Sequence, residues 1–143
     1  METLRVTRTS SMGILSMLLD MTGDGSEIII FSYSITDVWM RRIINMRAAG
    51  KISHVVMVLD RDVMIRHREK LNTLQYAADE VYLTDTHAKI YLCKNNGITV
   101  AAVTSANATN NLRHECFYIT DGRPTKQLED DIRTILGESY RII

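Results

Sequence analysis

Two apolar runs, Glu27–Tyr33 (Glu-Ile-Ile-Ile-Phe-Ser-Tyr) and His54–Leu59 (His-Val-Val-Met-Val-Leu), constrain this chain more than any other feature. Neither alternates polar with apolar, so each suits a strand buried on both faces. Between them Thr36 or Asp37 supplies a helix cap, and Gly50 supplies a stop after about Ala49. Asp60-Arg61-Asp62 opens a further helix to about Ala78, and Val81–Thr84 reads as a short strand. Strand–helix–strand–helix–strand is the pattern of a parallel sheet covered by helices.

The second half changes character. Lys89–Cys93 and Ile98–Thr104 flank Lys94-Asn95-Asn96-Gly97, and Asn-Gly between apolar runs is a strong hairpin signal. A polar stretch at 106–113 leads to a strand over Glu115–Thr120. A closing helix runs from Pro124 to Leu136, with Pro in its first turn. Ahead of all this, Met12, Leu15, Leu18 and Leu19 recur at helical spacing, with Ser10 or Ser11 as a cap. Residues 1–10 form an arm or edge strand. The expectation is one α/β domain over residues 1–143, with a mixed, largely parallel β-sheet flanked by helices.

Composition narrows the function classes. Of 143 residues, 45% are hydrophobic and 24% charged, which argues for a folded core rather than disorder. The 17 basic and 17 acidic residues cancel, so nothing marks a chain coated with cations for nucleic acid; a local basic cleft needs only a few of them. Cys93 and Cys116 lie in strand-like runs and are expected as buried, reduced thiols. His54 and His67 do not complete a Cys/His zinc spacing. Met12–Leu19 resembles a short signal core, but Asp20, Asp24 and Glu27 follow it. With no apolar stretch near the roughly 20 residues needed to cross a bilayer, the protein is expected to be cytoplasmic, without stable membrane association.

The chemistry concentrates between His87 and Glu115. His87 and Lys89 are spaced i, i+2 at the start of an expected strand, so imidazole and ammonium share a face. Ser105 and Asn107 repeat the spacing after the partner strand, and Glu115 enters the next. A two-residue turn at Asn96-Gly97 places His87 opposite Ala106, one residue out of phase with Ser105 and Asn107. A bulge is therefore expected there. Imidazole can attack phosphorus, or when protonated give a proton to a leaving oxygen. Lys89, Ser105 and Asn107 can donate to non-bridging oxygens, and Glu115 can accept from the second ring nitrogen of His87.

His87-Ala88-Lys89, then Thr104-Ser105-Ala106-Asn107 and Glu115, resemble the signature of the phospholipase D superfamily: HxK, a small residue–Ser–x–Asn, and a later acid. The likeness covers about 30 residues directly. Cys93 and Lys94 stand where the family often carries Asp, and Thr104 replaces the usual Gly. The resemblance implies a metal-independent phosphodiesterase that needs no cofactor and works through a phosphohistidine. It implies two signature copies, hence a symmetric homodimer with both His87 side chains at one phosphate. On this reading His87, Lys89 and Glu115 are catalytic, while Lys89, Ser105, Asn107 and Asn110 bind phosphate.

A nuclease acting on DNA or RNA is the leading expectation. A phospholipid phosphodiesterase and an inactive nucleic-acid- or protein-binding module are the alternatives. Asn111 is read as a turn residue as readily as a phosphate ligand. His114 is expected on the opposite strand face from Glu115. Arg61, Arg66, His67, Arg68 and Lys70, like Arg41, Arg42 and Arg47, are read first as solvated helix faces. Asp60 is read as a helix cap, Trp39 as core, and Ser34–Asp37 as a loop that can line the cleft.

Overall fold

The computed structural model describes all of residues 1–143. Thirteen elements follow one another: β1 (Glu2–Thr9), α1 (Ser11–Thr22), β2 (Ser26–Ser32), α2 (Asp37–Ala48), β3 (Ile52–Asp60), α3 (Arg61–Arg66), α4 (Leu71–Ala77), β4 (Glu80–Thr84), β5 (Ile90–Asn95), β6 (Ile98–Thr104), β7 (Arg113–Asp121), α5 (Arg123–Glu138) and β8 (Tyr140–Arg141). A 3₁₀ turn, Arg68–Lys70, separates α3 from α4. All eight strands join in one sheet, ordered β1-β7-β6-β5-β2-β3-β4-β8.

The expected largely parallel sheet is corrected. Only β2–β3 and β3–β4 pair in parallel; β1–β7, β7–β6, β6–β5, β5–β2 and β4–β8 are antiparallel. The reason lies in the connections. A parallel return needs a crossover of a dozen or more residues, usually a helix. Between neighbouring strands the chain supplies that only from β2 to β3 and from β3 to β4; the helical links from β1 to β2 and from β7 to β8 join strands that do not pair. After β4 the linkers are short, and β5–β6–β7 meander. Asn96 and Gly97 take φ of +50° and +79°, the two positive angles that a two-residue hairpin turn of this hand requires.

Helix boundaries follow their caps. The Ser10 hydroxyl accepts from Gly13 N–H at 3.2 Å to start α1, and Thr36 accepts from Trp39 N–H at 3.3 Å to start α2. Gly50, at φ +76°, lets the chain turn away after α2. The single helix expected from Asp60 to Ala78 is instead broken, because His67 leaves helical angles at φ −129°, ψ 50°. The expected edge strand at the N-terminus forms, pairing with β7 along its whole length.

The sheet is covered unequally. Helices α1, α2 and α4 pack on one face over Ile14, Leu15, Leu18, Trp39, Met40, Ile43 and Leu74, all essentially solvent-free. Truncating one such Leu or Ile to Ala costs about 2–5 kcal/mol. On the other face α5 alone covers Phe31, Val58, Leu92 and Ala101 through Ile132. Its reach leaves the β1–β7 side of that face open. Cys116 sits there and is exposed, which corrects the expectation that both thiols are buried; Cys93 is buried. Strand alternation decided the difference, since Cys116 pairs with Val6 on the open face.

Candidate functional site

Residues 85–89 carry the chain from the end of β4 to the start of β5, on the far side of β3 and β2. They therefore cross the carboxyl ends of the two parallel strand pairs. In open α/β sheets that is where ligand crevices form. Asp60, at the end of β3 and buried, holds the crossing. One carboxylate oxygen accepts from Val63 N–H at 3.1 Å, capping α3, and the other accepts from Thr86 N–H at 3.3 Å. The Thr86 hydroxyl then accepts from Ala88 N–H at 3.1 Å. The capping role read for Asp60 is borne out, and it extends to positioning the His87 segment.

His87 is exposed and lies in extended chain just before β5, not on a strand. Its ring packs on that of Tyr33, with centroids 4.4 Å apart and planes tilted by 37°. Lys89 Nζ stands 3.1 Å from His87 Nδ1 and donates to the His87 carbonyl at 2.8 Å. The i, i+2 spacing thus brings imidazole and ammonium together. An ammonium donor at Nδ1 makes that nitrogen the acceptor and leaves Nε2 to carry the N–H.

The expected bulge is absent. The β5–β6 register runs unbroken to Ile90↔Val103, and Thr104 N–H still donates to Lys89 O at 3.1 Å. The phase problem is solved differently, because the chain leaves the ladder after Thr104. The Tyr91 hydroxyl holds Ala106 O at 2.9 Å, and Ala108 bridges to Ile35. Asn107 swings over the end of β2, where its Oδ1 accepts from Tyr33 N–H at 3.0 Å and from the Ser32 hydroxyl at 3.3 Å. With Oδ1 taken, the Asn107 Nδ2 donors remain for a ligand.

Ser105 and Glu115 form a second pair. The Ser105 hydroxyl donates to Glu115 Oε2 at 3.1 Å and accepts from Cys116 N–H at 3.1 Å. Glu115 is buried and has no cation within salt-bridge distance. It does not reach the His87 ring, which corrects the tautomer-holding role expected of it. The strand ladder explains why: Glu115 lies one strand beyond β6, opposite Thr7.

A cavity of about 140 Å³ opens beside these groups, lined by Ser34, Ser105, Ala106, Asn107, Thr109, Asn111, Arg113 and Glu115. His87 and Lys89 stand outside the lining and connect to it through Tyr33, which touches both the His87 ring and Asn107. Asn110 does not line the cavity; Asn111 does. Arg113 and Tyr33 went unread in the sequence. Arg113 had a signal, since it is two residues before Glu115 on one strand and so shares its face. Tyr33 had none, because its meeting with His87 depends on the crossing segment. The Ser34–Asp37 loop does contribute Ser34. Elsewhere, His114 is exposed and faces away from Glu115 by strand alternation. Trp39 is core. Arg47 is no solvated face: it binds Asp79 at 2.8 Å and Ala77 O at 3.0 Å. No group of three or more His, Cys, Asp or Glu side chains is arranged to hold a metal ion. No helix is long and apolar enough to cross a membrane.

No family model matches the chain, and no curated protein sequence does. Solved structures share the fold. TrmBL2, an archaeal chromatin protein whose structure shows a mode of DNA binding, is similar at a TM-score of 0.65 and 14% identity. That match covers 97% of this chain and 54% of TrmBL2. Polyphosphate kinase from Porphyromonas gingivalis is similar at a TM-score of 0.57 and 15% identity, over 94% of this chain and 22% of that enzyme. This chain thus spans about half the length of the first and a fifth of the second. The family resemblance read from residues 87–115 is corrected accordingly. It rests on a short motif that no family model supports. The geometry departs from the expectation too, with His87 off the strand and Glu115 away from the ring.

Proposed function

We propose that the end of the sheet around His87 binds the sugar-phosphate backbone of nucleic acid and cleaves a phosphodiester there. One observation carries the reading. An exposed imidazole is held over the strand ends with an ammonium 3.1 Å away and no carboxylate on its ring. The cavity beside it holds donors with nothing to donate to: Asn107 Nδ2, and the Arg113 guanidinium, which has no ion-pair partner. Such a set suits an oxyanion. The DNA binding described for TrmBL2, on the same fold, favours nucleic acid as the source of that anion.

The cleavage runs in two steps. Phosphate oxygens draw Lys89 off Nδ1, the ring proton passes to Nδ1 through solvent, and Nε2 attacks phosphorus. The N–P bond forms as the P–O bond to the leaving ester oxygen breaks. That oxygen takes a proton, and water then cleaves the N–P bond to return free His87 and a phosphate monoester. Each chain offers one such histidine, so the proton comes from the protonated His87 of a second copy facing the same phosphate, and that imidazole takes a proton back from the attacking water. No step draws on a metal ion.

The test is incubation of single- and double-stranded DNA and RNA with wild type and His87→Ala in excess EDTA. Cleavage by wild type, lowered roughly 10³-fold or more in the variant, is the expected result. Cleavage equal in both sinks the assignment, and cleavage abolished by EDTA sinks the metal-free route. A second reading has its own support: Lys89 caps the ring nitrogen and Glu115 does not orient it. On that reading the site binds backbone without turnover. Salt-sensitive binding that Arg113→Ala weakens, with no cleavage, selects it.

A further inference from the structure

The outer edge of the sheet carries a feature that the His87 site does not use. β1 is eight residues long, and β7 pairs only its inner side. Every second N–H and C=O of β1 therefore points outward without a strand partner. Long exposed edges are usually blunted by Pro, Lys, a bulge or a cover. Glu2–Thr9 has no Pro or Lys, and its pairing with β7 is unbroken. Beyond the reach of α5 its side chains Leu4 and Val6 are 77% and 70% exposed. Beside them lie Cys116, also exposed, and Val103, 50% exposed.

We infer that β1 pairs antiparallel with β1 of a second copy of this chain, across a twofold axis through Arg5, making one continuous sheet. The sequence of the strand selects that partner and that register. In an antiparallel ladder, facing residues must both point their backbone groups at the partner, so only alternate registers are open. Centring on Arg5 sets Glu2 against Arg8, Thr3 against Thr7 and Leu4 against Val6, each twice. Centring on Leu4 instead leaves Arg8 unpaired and sets Glu2 against Val6. Centring on Val6 sets Arg8 against Leu4 and leaves Glu2 out. Only the Arg5 register joins opposite charges and apolar side chains on one face. Glu2 keeps one carboxylate oxygen for this, since Oε1 accepts from the Tyr118 hydroxyl at 2.6 Å. Arg8 has no acidic partner within the chain. The two Arg5 side chains meet at the axis on the other face. That single unfavourable contact opposes two favourable pairs of each kind.

The interface is separate from the paired imidazoles. His87 precedes β5, three strands in from β1, at about the level of Thr7. With strands roughly 4.8 Å apart, the two His87 residues would lie on the order of 35 Å apart. A twist of roughly 20–25° per strand turns them away from each other. Edge pairing alone therefore brings no second histidine to a phosphate.

Sedimentation equilibrium without nucleic acid tests the inference, on wild type, Arg8→Glu, Val6→Lys and the double swap Glu2→Arg/Arg8→Glu, with circular dichroism to confirm folding. Wild type is expected as a dimer, or a tetramer if His87 pairs as well. Arg8→Glu and Val6→Lys each halve the mass, and the double swap restores it. A wild-type monomer at tens of micromolar overturns the inference. So does an undiminished mass in folded Arg8→Glu and Val6→Lys. A monomeric Arg8→Glu that still cleaves supports the edge contact while removing the paired-imidazole mechanism, so the two readings fail separately.

Discussion

The molecule holds two histidine clusters, and they are built in opposite ways. At one end of the parallel strands His54 reaches Glu80 at 2.9 Å and Asp79 at 3.4 Å. Those carboxylates are further tied to Arg47 at 2.8 Å, Val55 N–H at 2.8 Å, the Tyr82 hydroxyl at 2.8 Å and Arg141 at 3.6 Å. At the other end His87 meets one ammonium and one aromatic ring, with free donors in the adjoining cavity. The perturbed carboxylates are all in the first cluster. Burial works to raise Asp79, but Val55 N–H and then Arg47 outweigh it and hold its carboxyl below the ordinary range. Hydrogen bonds from His54 and then Tyr82 hold Glu80 low as well. Shifted titration often marks function. Here it marks a closed network whose partners are all inside the protein. Unspent hydrogen-bonding capacity is the better sign of a site, and the His87 end has it.

On that contrast, substitutions at the two clusters separate activity from stability. The largest effect is on cleavage: His87→Ala removes about 10³-fold or more of it while shifting stability by no more than about 0.5 kcal/mol, as an exposed side chain should. A matching loss of thermal stability would break the contrast. Asp79→Ala does the converse. It leaves Val55 N–H and Arg47 without their acceptor and lowers stability by about 1–2 kcal/mol in urea unfolding, with cleavage rates unchanged. Tyr33→Ala removes the ring under His87 and is expected to lower cleavage roughly tenfold, since the imidazole is then held less often in line with phosphorus. If KM rises with kcat constant instead, Tyr33 contacts substrate rather than positioning the imidazole.

The smallest effect is in acid. Folding holds Asp79 and Glu80 below their unfolded values. Their contribution is complete above the ordinary carboxylate range, near pH 4, and is lost as pH falls through the lower folded values. The stability gap between wild type and Asp79→Asn, from thermal unfolding, should therefore shrink from pH 7 to pH 3. A gap that widens in acid would reverse the assigned sign.

Much of the chain was legible before folding because short-range physics governs it. The apolar runs of β2 and β3, the caps at Ser10 and Thr36, the stop at Gly50 and the Asn96-Gly97 turn each depend on neighbours a few residues away. So did the His87–Lys89 contact, which needs only extended backbone. The orientation of the sheet was not local. Residues 85–89 could have led to a parallel or an antiparallel neighbour of β2, and the lack of a crossover helix decided for antiparallel. Cys116 was misread because strand character says nothing about which face a helix covers.

What the sequence determined alone is most of the strands and helices, short of the break at His67 and of β8, and the concentration of polar chemistry between residues 87 and 115. Backbone propensity, capping and side-chain periodicity act within one element, and one element suffices to read them. Which of those groups meet was decided by the tertiary structure. Asn107 rests on Tyr33, Glu115 turns to Ser105 rather than His87, and Arg113 joins the cavity, because each contact depends on strand order in the completed sheet. Strand order is set by burying the whole core at once.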